Sequence, residues 1–232
     1  MENKRKEILD FFNELRFEEA SHTYEVRGFP LTSVSNMIKR FVEKVDFDKI
    51  AGFVAKKEGV TKEEILARWE AKKDNACDLG HSVHLFGETF MVNNLVPTNG
   101  FEEAILKFWK SLPSYIIPFT FELKMFSKEL GLAGTSDIIL YNTLTEKFII
   151  ADYKTNESLI KNFKGKTLLH PFEHLLDCPL SKYEIQLSAY QILFEQTGYE
   201  VENRVVIWLK PSGEFELFYT PDHRDILLKT LT

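Results

Sequence analysis

Residues 131–159 read GLAGTSDIILYNTLTEKFIIADYKTNESL. Within them FIIADYK (148–154) has strand character, and side chains on one face of a strand recur every second position. Asp152 and Lys154 therefore share a face, while Ile149, Ala151 and Tyr153 share the other. An acid and a lysine on an apolar strand are costly to bury unless they share a partner or a metal. Fifteen residues upstream, Asp137 opens the preceding strand after a turn marked by Gly131 and Gly134. The polar Asn142–Glu146 segment reads as a hairpin loop, so 137–141 pairs with 147–153 and Asp137 lies close to Asp152. Two carboxylates at that distance repel. A divalent cation relieves the repulsion, and hard oxygen ligands suit Mg²⁺ or Mn²⁺.

Working outward, FTFELKMF (119–126) alternates with period two and adds a third strand to an antiparallel meander. Residues 182–197 are helical. Strands at 203–210 and 214–220 follow, joined at Pro211–Gly213, and a short helix closes the chain. Upstream, residues 3–16 place Ile8, Phe11, Phe12 and Leu15 at helical spacing. Tyr24 and Val26 alternate before the Arg27–Gly28 turn of a hairpin. Thr32 or Ser33, with Ser35 as a further choice, caps the next helix. Two or three helices occupy 33–94. Thr61 and Glu64 form a capping-box pattern, and 74–94 reads as a separate helix. A helix over 100–111 ends at Leu112–Pro113. The fold class is α/β (α+β): a sheet with an antiparallel meander flanked by helices. The chain divides into 1–112, a helix, a hairpin and a helical subdomain that packs on the core, and 113–232, the core itself.

Other [DE]-x-K triplets occur at Glu2–Lys4, Glu70–Lys72 and Glu122–Lys124. The first two read as solvated helix charges. Glu122 either faces the Asp137/Asp152 site or pairs with Lys124. Only Asp152-Tyr-Lys154 follows an apolar strand and has a Gly-x-x-Asp at hairpin distance.

Gly134-Thr-Ser-Asp137 followed by Asp152-Tyr-Lys154 resembles the core of the PD-(D/E)XK nuclease superfamily. Gly80-His-Ser-Val-His84, with Glu88 one turn later, is similar to the helix motif of its RecB-like branch. Gln186-Leu-Ser-Ala-Tyr190 is similar to that branch's Q-x-x-x-Y motif. His22-Thr-Tyr24 followed by Leu31-Thr-Ser-Val34 resembles the opening of phage-type exonucleases. Ser136 stands where the name motif has proline. The resemblance implies a restriction-endonuclease-like core with a central mixed sheet, and the His motif on the N-terminal subdomain. It implies a Mg²⁺-dependent deoxyribonuclease, an exonuclease more than an endonuclease, serving DNA recombination, repair or phage DNA processing. Asp137, Asp152, His84 and the Tyr153 carbonyl are the implied metal ligands, with Glu88 and Glu122 as further candidates. Lys154 is the implied catalytic lysine. Gln186 and Tyr190 are implied to position the scissile strand or the carboxylates. The expected partner is linear DNA with an end, alongside a second copy of the chain or a recombination protein. The alternative is a module of the same fold that binds nucleic acid without cutting it. A structural interaction protein is a third reading.

The chain has 232 residues, 44% apolar and 28% charged. It is long enough to bury roughly 70–75% of its unfolded surface without disulfides. The formal net charge of −6 excludes a surface that coats nucleic acid everywhere. Positive charge collects locally instead. Residues 147–166 hold five lysines against Asp152 and Glu157, and 36–73 hold ten Lys/Arg against seven acids. Lys161, Lys164 and Lys166 follow the site in a polar loop that either holds phosphates or is simply solvated. Phe41, Phe47 and Phe53 stack on unpaired bases or pack in the core. Two cysteines cannot hold an iron–sulfur cluster, so none is expected. Cys77/His81/His84 and His170/His174/Cys178 have zinc-like spacing, each without a clear fourth ligand. The charged start MENKRKEILDFF shows no signal peptide, and no apolar run approaches ~20 residues, so a cytoplasmic protein without membrane contact is expected.

Overall fold

The computed structural model describes residues 1–19, 21 and 23–232. Strand β5 (Leu132–Asn142) is its axis. Before it come α1 (Glu2–Phe11), β1 (Leu15–Glu18), β2 (Thr23–Val26), β3 (Phe29–Ser33) and α2 (Val34–Ile38). A 3₁₀ turn (Lys39–Phe41), α3 (Phe47–Glu58), α4 (Lys62–Asn93), α5 (Gly100–Ser111) and β4 (Ile116–Ser127) follow. After it come β6 (Lys147–Lys154), α6 (Pro179–Glu195), β7 (Val201–Leu209), β8 (Phe215–Tyr219) and α7 (Arg224–Leu231). The fold is α+β, an eight-stranded mixed sheet flanked by helices. Its order is β1-β2-β3-β5-β6-β7-β8, with β4 also on β5.

The β4–β5–β6 meander is antiparallel, whereas β3–β5 and β6–β7 are parallel. Strand β4 pairs with β5 along its length, from Ile116↔Asn142 to Ser127↔Leu132. That extended pairing corrects two expectations. Strand β5 starts at Leu132, so Asp137 sits inside it rather than opening it. Gly131, at φ +59°, lies in the turn, but Gly134 lies in the strand. A Cβ on Gly134 would stand 2.6 Å from the Tyr190 ring and 3.1 Å from Val34, so glycine there admits α6 and α2 rather than a turn.

Helix α1 stops at Phe11, short of the expected residue 16. Leu15 and Phe17 alternate with Arg16 and Glu18, and this segment pairs with β2 as β1. The β2–β3 turn falls at Arg27–Gly28 as expected, both at positive φ. Ser33 is the cap of α2, accepting from the Asn36 amide at 3.2 Å.

Helix α4 corrects another boundary. The Thr61–Glu64 capping box starts it, but it runs unbroken to Asn93 instead of dividing before 74. At ~1.5 Å per residue it spans about 48 Å. Residues 70–78 are all exposed, so no apolar period marks them as helix.

Two apolar layers sandwich the sheet. One lies under α1, α2 and α6 and includes Ile8, Met37 and Ile185. The other lies under α5 and the second half of α4 and includes Val83, Ile105 and Phe108. Burying each such side chain contributes roughly 1.5–3 kcal/mol. The 112/113 division falls in the α5–β4 connection, yet elements on both sides share the sheet and both layers. A third small cluster, Ala51, Ala55 and Ile65, joins α3 to the start of α4. Among the described residues no helix is long and apolar enough to cross a membrane.

Candidate metal centre at a strand fork

Strands β5 and β6 pair from Asn142↔Lys147 to Ile138↔Ala151 and then part. Beyond that point β6 follows β7 as far as Lys154↔Trp208. Strand β3 meets β5 only at Leu132 and Ala133. Because β4 occupies the whole opposite edge, β5 has no strand neighbour on this edge near Asp137. The first residues past the last pair are Asp137 and Asp152.

Their carboxylates replace the missing ladder bonds. The Asp137 amide donates to Asp152 Oδ1 at 3.2 Å, and the Tyr153 amide donates to Asp137 Oδ2 at 2.8 Å. Each strand thus satisfies the other's backbone while its acid stays at the fork. The face assignment for β6 holds: Phe148 and Ile150 enter one apolar layer, Ile149, Ala151 and Tyr153 the other. Asp152, on the first face, is 1% exposed, and Lys154 Nζ lies 3.0 Å from its Oδ2.

Helix α4 brings His84 to the fork, with Nδ1 3.4 Å from Asp137 Oδ1. The approach is set by Gly87, where a Cβ would stand 2.5 Å from the Tyr153 ring. That ring is fixed in turn, since the Trp109 indole donates to Tyr153 Oη at 2.8 Å. Glu122 arrives from β4. The pairs Phe121↔Ile138 and Leu123↔Ser136 put it opposite Asp137. Its φ of +47° is a conformation that costs a non-glycine residue about 1–3 kcal/mol. One ligand atom each from His84, Glu122 and Asp137 lie within 4.8 Å of one another. Glu122 does not pair with Lys124, whose ammonium lies over the Phe17 ring.

The electrostatics are those of crowded anions. Burial and the charge of Asp137 push Glu122 up to about 7. Burial and the same neighbour push Asp152 up to about 6, against the pull of Lys154. Burial opposes ionisation of Asp137 as well, but His84, Lys154 and the Tyr153 amide hold its carboxyl below the usual value. Burial works against the charged form of His84, and Asp137 outweighs it, so its pKa is raised. Burial also works against charge on Lys154, yet Asp152 and Asp137 raise its pKa, and the ammonium persists at neutral pH. Its Nζ sits 4.8 Å from the Tyr183 ring centre.

No known family model matches the chain, and no curated protein matches it in sequence.

Helix α6 closes the gap from the other side. Tyr190, 5% exposed, packs on Gly134, and the Gln186 amide donates to Tyr190 Oη at 2.9 Å. Gln186 Oε1 is buried without a partner among the described residues. Glu88, one turn past His84, is exposed and outside the tight group, though its charge helps raise Glu122. The Tyr153 carbonyl belongs to a residue at the fork whose amide is committed to Asp137. Lys161, Lys164 and Lys166 are exposed on the loop after β6. Lys164 lies over Phe163, and Lys166 pairs with Glu43 at 2.6 Å.

His22 lies outside the described residues. Neither zinc-like trio forms a ligand group among the described residues. Helix α6 begins only at Pro179, so His170, His174 and Cys178 share no helix. Cys77 and His81 are exposed while His84 points to Asp137. Sequence reasoning missed Tyr183, Trp109 and Gly87. Tyr183 was the findable one, three residues before Gln186 and so on the same helical face. Trp109 is 44 residues from Tyr153 and carries no local signal.

Proposed function

We propose that the chain is a divalent-metal-dependent nuclease of the PD-(D/E)XK type, in its RecB-like branch, and that it hydrolyses DNA from an end. The observation that supports this best is the fork. There the Asp152 carboxylate accepts the Asp137 amide and the Asp137 carboxylate accepts the Tyr153 amide, beside a lysine, a histidine and a third carboxylate. The donor set fits a hard cation. It offers oxygens and one imidazole nitrogen, and the raised pKa values of Glu122 and Asp152 come from burial first and then from the charge of Asp137, both of which positive charge offsets. Asp137, Glu122 and His84 would hold Mg²⁺ or Mn²⁺, with Asp152 and the Tyr153 carbonyl close by. When bound, the cation supplies a Lewis acid that acidifies water and offsets charge on the phosphate.

The reaction adds water across a P–O bond: the water oxygen bonds to phosphorus, and the departing bridging oxygen takes a proton. Lys154 contributes a fixed positive charge, oriented by Asp152 and Tyr183, for the phosphate oxygens as negative charge builds. Asp137 holds the Tyr153 amide and so fixes the β6 backbone. Gln186 and Tyr190, bonded to each other, with Tyr190 packed on β5 at Gly134, would position the scissile strand or the carboxylates.

End-labelled linear DNA and covalently closed circles, incubated with Mg²⁺, Mn²⁺ or EDTA, test the proposal. Mg²⁺-dependent loss of the linear substrate alone is expected. Lys154→Ala and Asp137→Asn should each lower the rate at least ~10²-fold while leaving the circular dichroism spectrum unchanged. Binding without product under either cation overturns the nuclease reading. Cutting of the closed circle overturns the exonuclease part.

A further inference from the structure

Helix α3 presents a face that stays exposed among the described residues. Its inward residues, Ala51 and Ala55, pack on Ile65 of α4. Its outward side carries Lys49, Ile50, Phe53, Lys56 and Lys57. At about 100° per residue these five fall within one third of the helix circumference. Phe53 is 66% and Ile50 42% exposed. The helix's acids are elsewhere and already paired, Asp48 with Lys62 and Glu58 with Arg68. Among the described residues Lys49, Lys56 and Lys57 make no ion pair. A chain of net charge −6 thus keeps three uncompensated lysines around an exposed phenylalanine on one helix face. Phe47, 63% exposed, extends the aromatic surface against Trp69, with ring centres 6.3 Å apart.

We propose that this face binds single-stranded nucleic acid, the lysines holding phosphates and Phe53 stacking on a base. This rests on the nuclease reading of the fork and names the form of its substrate. The charge selects an anionic partner. The aromatic ring among lysines matches a strand whose bases are open on their faces, whereas a duplex hides them. The helix on which α3 packs also carries His84 to the fork. Trp69 and His84 lie on the same unbroken helix, fifteen residues and so about 22 Å apart.

The test uses the full chain in EDTA, so that nothing is cut. Affinity is measured by fluorescence anisotropy for a labelled oligothymidylate of about 20 nucleotides and for a blunt duplex of the same length, across a salt series. Phe53→Ala should weaken single-strand binding by about tenfold and leave duplex binding unchanged. Lys49→Gln, Lys56→Gln and Lys57→Gln together should reduce the salt slope by about 2. Unchanged single-strand affinity in both variants overturns the proposal. So does equal loss on the duplex, or binding of phosphatidylserine vesicles that the triple variant abolishes while oligonucleotide affinity stays the same. All these side chains are exposed, and thermal melts confirm that the variants fold. Cleavage by wild type is scored separately with Mg²⁺. Failure there sinks the nuclease reading alone, whereas unchanged binding by the variants of an active enzyme sinks this inference alone.

Discussion

Glu122, Asp152 and His84 all hold protons more tightly at the fork than in an unfolded chain, where the reference values are 4.5, 3.8 and 6.5. Between about pH 4 and 8 the folded state therefore binds more protons than the unfolded one, and stability falls as pH rises. Asp137 works in the opposite sense, but only where an ordinary aspartate titrates, near pH 4 and below. The metal-free protein should melt several degrees higher at pH 5.5 than at pH 8, and Glu122→Gln should shrink that gap. Calorimetry at the two pH values checks it, and a wild-type melting temperature that climbs from pH 5.5 to 8 would contradict the anion crowding. Metal has the converse effect. At pH 8, saturating Mn²⁺ or Mg²⁺ should raise the melting temperature. About 2.7 kcal/mol is expected at a hundredfold excess over Kd. EDTA should reverse the shift and Asp137→Asn should abolish it.

Two glycines of helix α4 separate close packing from helix propensity. Gly80 has nothing within 4 Å of its Cβ position, so Gly80→Ala should stabilise the protein by about 0.5–1 kcal/mol. Gly87 faces the buried Tyr153 ring at 2.5 Å, and that ring is held by Trp109. Gly87→Ala should therefore cost about 1–3 kcal/mol and carry His84 away from Asp137, weakening metal affinity in the same protein. Urea melts and a Mn²⁺ titration of both variants check the pair. A Gly87→Ala protein with wild-type metal affinity would show that α4 does not set the histidine. This pair also marks what the sequence could reveal about elements. Asp152 and Lys154 are legible because period two and a short polar loop are local signals, and they fix a hairpin. Gly134 reads as a turn because the ring that excludes its Cβ, Tyr190, lies 56 residues downstream. The positive φ of Glu122 leaves no trace in FTFELKMF, so its orientation stays undecided until β4 is paired with β5. The middle of α4 is exposed all round, so it lacks the apolar period by which helices are recognised.

At the scale of the molecule, the two apolar layers and the satellite cluster differ in what they hold. The sheet layers bury Phe108, Phe148, Phe172 and Phe194 almost completely. The satellite keeps only Ala51, Ala55 and Ile65 buried, with Val54, Val60, Leu66 and Trp69 partly covered around them. Its link to the body along α4 crosses nine exposed residues, 70–78, where side-chain packing adds nothing to the helix. A unit with so little buried apolar area opens at a lower free energy than the body it is attached to. Native-state hydrogen exchange should find the amides of α3 and of α4 up to residue 78 exchanging through a sub-global opening. The second half of α4, anchored by Val83 and Phe86, should exchange with β5 and β6 in the global unfolding. Equal protection along the whole of α4 would mean that the exposed stretch transmits the stability of the core, and that the satellite unfolds only with it. Under the first outcome the lysine face of α3 can move without disturbing the geometry of Asp137, Asp152 and Lys154. The two functions proposed for this chain, holding a strand and cutting it, then sit on parts of different stability joined by one helix.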